Sequence, residues 1–344
     1  MASPYALETA DFGKISAGFP AFRLAHGQTG GQSDKGVVMQ VQVQVLWLDR
    51  GDSQELERGM ERQGPLLATV ARGAGLALGP AEASLWLVLR GGLDIAARTG
   101  TFRLEAGQWI HFDRGASPVL HAGERTVAIG VAVPADMQLQ LLRSPQLALF
   151  PGRGVVPALA RRLLTRRWRA VIGTPARGSQ AIAADRWQVD RLLRALAGLQ
   201  QGQQALIARC PGRSLMHRRQ VYARMQRALQ YLQGHTDRVV RIGELAELSS
   251  MSVWYFTKTF RAVYGECPQA ISVRLRLANS ARLIRETPLS ITEIGAASGF
   301  ENNCSFSRAF RTHFGVSPSL YRNGGPGVST DRANPVDRAC GAVA

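Results

Sequence analysis

Phe260-Arg261-Ala262-Val263-Tyr264-Gly265-Glu266-Cys267-Pro268 returns fifty residues later as Phe310-Arg311-Thr312-His313-Phe314-Gly315-Val316-Ser317-Pro318. The shared skeleton is Phe-Arg, two variable positions, an aromatic, Gly, one variable position, Cys or Ser, then Pro. Upstream, Phe256 and Lys258 answer Phe306 and Arg308 at the same offset. Further back, Leu245 answers Ile294 and Ser250 answers Gly299 at an offset of forty-nine, so the second copy has gained one residue in its turn. A pattern that repeats at a fixed period marks one supersecondary unit used twice.

Each copy reads as helix, short turn, helix. In the second, Ser290 and Glu293 form a capping box that opens a short helix to about Ser298. Gly299 ends it by tolerating the left-handed conformation. The next helix starts near Asn303, with Phe306 and Phe310 as its buried stripe. Gly315 closes it, and Pro318 opens a last short helix through Tyr321. The first copy runs from about Ile242 to Ser249, turns at Ser250-Met251, and continues as a helix over 252–264 with Phe256 and Phe260 inward.

Two short helices joined by a tight turn are the helix-turn-helix arrangement, whose second helix can enter a major groove. With the Phe pairs inward, the first unit presents Val253, Trp254, Thr257, Lys258 and Arg261. The second presents Asn303, Cys304, Ser307, Arg308 and Arg311. Long donors, hydroxyls and an amide suit base edges, thymine methyls and phosphates. The bland alternative, two ordinary bundle helices with solvated polar faces, does not account for matching Lys/Arg placement in both copies.

These residues resemble the DNA-binding domain of the AraC/XylS family of bacterial transcription regulators over about 216–322. The resemblance rests on Ser252, Phe256, Lys258, Phe260, Gly265, Pro268 and Arg276, then Leu283, Ile284, Ile294, Gly299, Phe300, Phe306, Arg308, Phe310, Gly315, Ser317, Pro318, Tyr321 and Arg322. Four positions depart from the family pattern. Ile271 stands for an aromatic, Gly295 for Ala, Ser250 for a common turn Gly and Cys304 for a common Ser. The resemblance implies a cytoplasmic, sequence-specific regulator, an activator responding to a small-molecule effector. It also implies double-stranded promoter DNA and RNA polymerase as partners, and a homodimer.

Charge is unevenly distributed along the chain. Residues 1–150 carry 13 basic and 14 acidic side chains, 151–217 carry 12 and 2, and 218–322 carry 15 and 7. A neutral front and a basic back fit a ligand-handling domain joined to a polyanion-binding one. The four cysteines, Cys210, Cys267, Cys304 and Cys340, show neither zinc-finger spacing nor a disulfide framework. Glu8 and Asp11 interrupt any signal-peptide pattern, and no apolar run is long enough for a membrane span.

The fold class expected is α+β: an antiparallel β-sandwich or barrel over 1–150, a helical region over 151–210, an all-α domain over 211–324 and a disordered tail over 325–344. Residues 1–36 should begin with a strand or two. Met39, Val41, Val43, Val45 and Trp47 alternate with Gln40, Gln42 and Gln44, the pattern of a half-buried antiparallel strand. Further strands are expected near 66–72, 85–90, 93–98, 101–104, 108–113, 119–121 and 126–133, broken by Gly91-Gly92, Gly100, Gly107 and Gly115. Gly100 with Leu104-Glu105-Ala106-Gly107-Gln108 resembles the turn of cupin-like sensor domains, which implies an effector pocket in the barrel mouth whose lining residues cannot be read. His111 and His121 lie ten apart, with Glu105 and Glu124 near, and do not make the His-rich set a metal site needs, so no metal or cofactor is expected.

Beyond 150, Val155–Val171 reads as a helix with Leu159, Leu163, Leu164 and Trp168 inward. Its Arg161, Arg162, Arg166, Arg167 and Arg169 form either a solvated face or a phosphate or acidic-partner contact. After a loop at 173–179, a helix over about 181–208 places Val189, Leu192, Leu196 and Leu199 in a near-heptad seam. That seam packs on the chain's own barrel or mediates a dimer; in the resembling family a helix here commonly dimerises. Pro211 and Gly212 mark a linker, and 216–233 reads as a helix with Val221, Met225, Ala228, Leu229 and Leu232 on one face. Gln269–Arg285 reads as a rigid helix with Ile271, Leu275, Ala278 and Ile284 placed for burial, holding the recognition helices roughly 34 Å apart, one DNA turn. Three other functions are weaker: a regulator whose front domain only dimerises, a cupin metalloenzyme fused to a DNA-binding domain, and an alkyl-transfer repair protein. The last needs a cysteine cluster in the front domain, where the first cysteine is Cys210. An enzyme is therefore not expected.

Overall fold

The computed structural model describes residues 40–56, 64–134, 149–173, 177–200 and 202–324. The readings of 1–36, Met39 and the tail beyond Gly324 lie outside them. With strands numbered in chain order, one sheet runs β11 (Gly152–Val155), β8 (Gln108–Phe112), β5 (Ala83–Arg90), β10 (Val127–Val133), β3 (Leu66–Ala71), β1 (Gln40–Leu48), β12 (Gly178–Asp185). The other runs β2 (Ser53–Glu55), β4 (Gly75–Ala77), β9 (Val119–Ala122), β6 (Gly92–Ala97), β7 (Gly100–Glu105). They stack face to face, and Trp86, Ile95, Phe102, Leu104, Phe112 and Leu120 interdigitate between them. Trp86 faces Gly130 on β10, where an added Cβ would sit 2.2 Å from the indole. The expected pocket in the barrel mouth meets this packed interior instead.

The seven-stranded sheet is buried on both faces, and this corrects several expectations. Helix α1 (Ala158–Ile172) and helix α2 (Arg186–Ala197) cover its outer side, so β3 is buried at every position. The alternation of Val43 and Val45 faces these helices, while Leu46 and Leu48 face the other sheet. Strand β1 pairs antiparallel with β12 but parallel with β3, so the sheet is mixed. Strands β11 and β12 complete that sheet, and α1 and α2 pack on it, so these four elements share the core of the β-domain.

Helix α1 begins at Ala158, not Val155, which lies in β11. It buries Leu164 and Trp168 as expected, but Leu159 and Leu163 are exposed. The single helix expected over 181–208 is three elements. Gly178–Asp185 is a strand held by eight residue pairs along β1, although its alanines favour a helix locally. Asp185 then caps α2, accepting from the Trp187 amide at 2.9 Å. Helix α2 ends in a 3-10 turn over Gly198–Gln200, and α3 (Gln203–Arg209) follows. The seam is core: Val189, Leu192 and Leu196 are buried against the sheet and Leu199 packs partly beside them. Val189, Leu192 and Leu196 are thereby taken up by the chain's own core, the first of the two alternatives for the seam.

His111 is buried, and burial pushes its pKa down to about 4, which keeps the imidazole neutral. His121 is exposed on the other sheet, and among the described residues no three His, Cys, Asp or Glu could hold a metal ion. None of the described helices is long and apolar enough to cross a membrane.

From α4 (Leu215–Gly234) the described residues form helices without strands: α5 (Ile242–Leu248), α6 (Val253–Tyr264), α7 (Pro268–Glu286), α8 (Ile291–Ala297), α9 (Asn303–Phe314) and α10 (Pro318–Arg322). The β-domain meets this part mainly along α4. Arg227 pairs with Asp113 at 2.9 Å, Gln230 donates to the His111 carbonyl at 2.8 Å, and the backbones of Gly100 and Gly234 touch. A Cβ at Gly100 would lie 2.4 Å from the Gly234 carbonyl, so only glycine permits this approach.

Two details of the helical part bear on stability. The turn before α6 holds Ser250 at φ 50, the position that Gly299 occupies in the second unit at φ 73. A side chain is disfavoured there. Glu244 accepts from Arg238 at 2.8 Å and from the Arg241 amide at 3.1 Å, clamping the first turn of α5. The Arg238 hydrogen bond holds its carboxyl down at about 2.

Leu192→Ala is expected to destabilise the protein by about 2–5 kcal/mol in urea titrations, with the mass of the folded protein in analytical ultracentrifugation unchanged. Ser250→Gly is expected to stabilise by up to about 1 kcal/mol, since it relieves a left-handed residue with a Cβ. For Glu244, the folded-state pKa is depressed, so its contribution is full above the usual value of 4.5 and fades as pH falls towards 2. The stability difference between the parent and Glu244→Gln, from urea titrations across acid pH, should therefore close over that window.

Candidate nucleic-acid interface

The two units are built alike in atomic detail. Ser252 caps α6 by accepting from the Tyr255 amide, and Asn302 caps α9 by accepting from Ser305. Gly265 and Gly315 end these helices in the left-handed region at φ 78 and φ 80. Inside, Phe256 stacks on Phe260 at 5.5 Å and Phe306 on Phe310 at 5.7 Å, all four fully buried. The turn spans four residues in the first unit and five in the second, as the change of offset implied.

Helix α7 joins the units and takes part in both cores. Its Ile271 and Leu275 pack with α4, α5 and α6, whereas Leu277, Ala281 and Ile284 pack with α8, α9 and α10. Ala278, expected to be buried, is only half-buried between them. Arg276 points from the same helix into the second turn. It donates to the Gly299 carbonyl at 2.7 Å and lies 4.4 Å over the Phe300 ring, nearly buried, where desolvation lowers its pKa. Gly299 also touches the Arg238 backbone, since a Cβ there would meet the Arg238 Cα at 2.7 Å.

Every sequence-predicted contact residue stands on an outer face of α6 or α9. Val253, Trp254, Lys258 and Arg261 are exposed, as are Asn303, Cys304, Arg308 and Arg311. Thr257 and Ser307 are half-buried, and the Thr257 hydroxyl donates to the Val253 carbonyl at 2.8 Å, leaving its oxygen as an acceptor. Trp254 is 69% exposed, with the Lys258 ammonium 4.8 Å from its ring centre. A large indole held in solvent beside a cation can stack on a sugar or a thymine methyl.

Sequence reasoning passed over Ser305 and Thr312. Both are exposed, and the spacing 305, 308, 312 puts them on the stripe of Arg308. That spacing is legible in the sequence, although neither position is matched between the two copies of the repeat. Gly295 departs from the family pattern for a packing reason: an added Cβ would sit 3.2 Å from the Phe306 ring. The crowding opposes the roughly 1 kcal/mol of helix propensity that alanine would bring.

Comparison with known proteins agrees with this geometry. A family model described as a helix-turn-helix domain matches residues 245–324. The chain is similar to the transcriptional activator NphR of Rhodococcus sp, 28% identical over 250 residues, which cover 69% of this chain and 68% of NphR. It is also similar to the uncharacterised HTH-type transcriptional regulator YobQ of Bacillus subtilis, 32% identical over 96 residues, 28% of this chain and 40% of YobQ. Among solved structures, the C-terminal domain of AraT, a response regulator from Geobacillus stearothermophilus, is 29% identical, covers 29% of this chain and 84% of its own, and gives a TM-score of 0.29. The chain spans well under two thirds of several relatives it matches, 40% of YobQ and 27% of CdhR of Pseudomonas aeruginosa. Residues 245–324 are a helix-turn-helix domain, built here as two units, and the chain is similar through it to HTH-type transcriptional regulators.

Proposed function

We propose that the chain is a sequence-specific transcription regulator, an activator whose β-domain responds to a small-molecule effector. The observation that carries the reading is the exposure of Lys258 and Arg308 at the same position of two units fixed to one helix. Helix α7 has nineteen residues, about 28 Å at 1.5 Å per residue. An offset of that order suits two successive major grooves on one side of the duplex. Its action is recognition rather than catalysis, carried out on promoter DNA in the cytoplasm with RNA polymerase as the downstream partner. The similarity to NphR over most of the chain supports the activator role. Self-association, where it occurs, uses a surface other than Val189, Leu192 and Leu196, which the core occupies.

Binding-site selection with the full-length protein should yield a sequence with two recognition elements about one turn apart, bound with steep salt dependence from counterion release. Arg308→Ala and Lys258→Ala should each cost about 1–3 kcal/mol on that site if they read bases, or lower the salt slope by about one if they meet phosphate. Unchanged affinity, sequence preference and salt slope in both variants would remove the assignment.

A further inference from the structure

Between the outer face of the five-stranded sheet and helices α4 and α7 lies a cleft of about 620 Å³. One wall is a row across three strands, because Asp94 on β6 is paired in register with Arg103 on β7 and with His121 on β9. The opposite wall is the cleft side of α7, with Arg282 and Arg285. Counting Arg153, four guanidinium groups line the cleft against two carboxylates, Asp94 and Glu105. Three of the four already hold partners: Arg103 lies 3.4 Å from Asp94, Arg153 donates to the Gln108 amide oxygen at 3.2 Å, and Arg282 bonds Asn279 and Glu286 at 2.9 Å.

Among the lining residues is Gln233, on the last turn of α4. It is 5% exposed and lines the cleft, yet neither its amide nitrogen nor its amide oxygen has a hydrogen-bond partner. A buried amide with both ends unmet costs a folded protein several hydrogen bonds' worth of desolvation. A cleft of this volume admits an organic molecule rather than a bare ion.

We propose that this cleft, rather than the packed interior of the β-domain, is the effector site, and that it takes a small organic dianion. The inference rests on the effector-responsive reading above. One acidic group would meet Arg103 and Arg153 on the sheet, the other Arg282 and Arg285 on α7, and a donor and an acceptor on the body of the ligand would satisfy Gln233. Such a ligand ties the β-domain to the helix that sets the spacing of the two recognition helices, so its binding and DNA binding are linked.

The test is calorimetric titration of the full-length protein with phthalate, succinate and glutarate as two-ended dianion probes, with benzamide and salt-matched chloride as controls. At least one dianion should bind at millimolar concentration or tighter while the controls do not. Arg285→Ala, at an exposed position that does not threaten folding, and Gln233→Leu should each weaken it roughly tenfold. Operator DNA should then change the affinity for that dianion, and the dianion the affinity for operator, by the same factor. If no dianion binds, or if one binds with equal affinity to both variants, the cleft is not the site. If binding is lost in the variants but operator affinity ignores the ligand, the site stands and the effector-responsive reading falls.

Discussion

One helix cannot be moved without dismantling two cores, and that constraint organises the C-terminal half of the molecule. Helix α7 lends Ile271 and Leu275 to the first unit and Leu277, Ala281 and Ile284 to the second. Each buried aliphatic side chain is worth about 1.5–3 kcal/mol. Arg276 adds a hydrogen bond to the Gly299 carbonyl and a cation–π contact with Phe300, and the Gly299 turn leans on Arg238 of the first unit. The two recognition helices are therefore parts of one rigid body. Such a body can match a fixed spacing along DNA without losing entropy in a flexible tether.

The β-domain is joined to this body along a single helix. Contact is made by an ion pair, a side-chain bond to a carbonyl, a glycine–glycine approach and the edge contact of Phe150 with Tyr222. The charged cleft opens beside that junction, with walls from both parts.

The helical half was legible almost residue by residue. Caps, terminating glycines and buried Phe pairs are local signals, set within a few residues of the helix they control, and the second copy made each of them checkable against the first. The outer faces of α6 and α9 followed because a helix with one side in a core exposes the other. The β-domain was legible in its strand positions and not in its pairing. Gly178–Asp185 has helix-favouring alanines, and only the open edge of β1, more than 120 residues earlier, makes it a strand. Once that strand forms, α2 starts at Asp185, and Val189, Leu192 and Leu196 turn onto the chain's own sheet.

The amino-acid sequence by itself determined a repeated helix-turn-helix, its recognition faces and a basic half joined to a neutral β-rich half, because these rest on short-range periodicity, capping chemistry and charge. Tertiary structure alone decided that the leucine seam is core, that the sandwich interior is filled by Trp86 and its neighbours, and that Gln233 is buried without a partner in a cleft lined by arginines. The physical reason is distance along the chain. A leucine stripe has the same spacing whether it meets a sheet or a second copy, and arginines on β7 and α7 become neighbours only after α4 has docked.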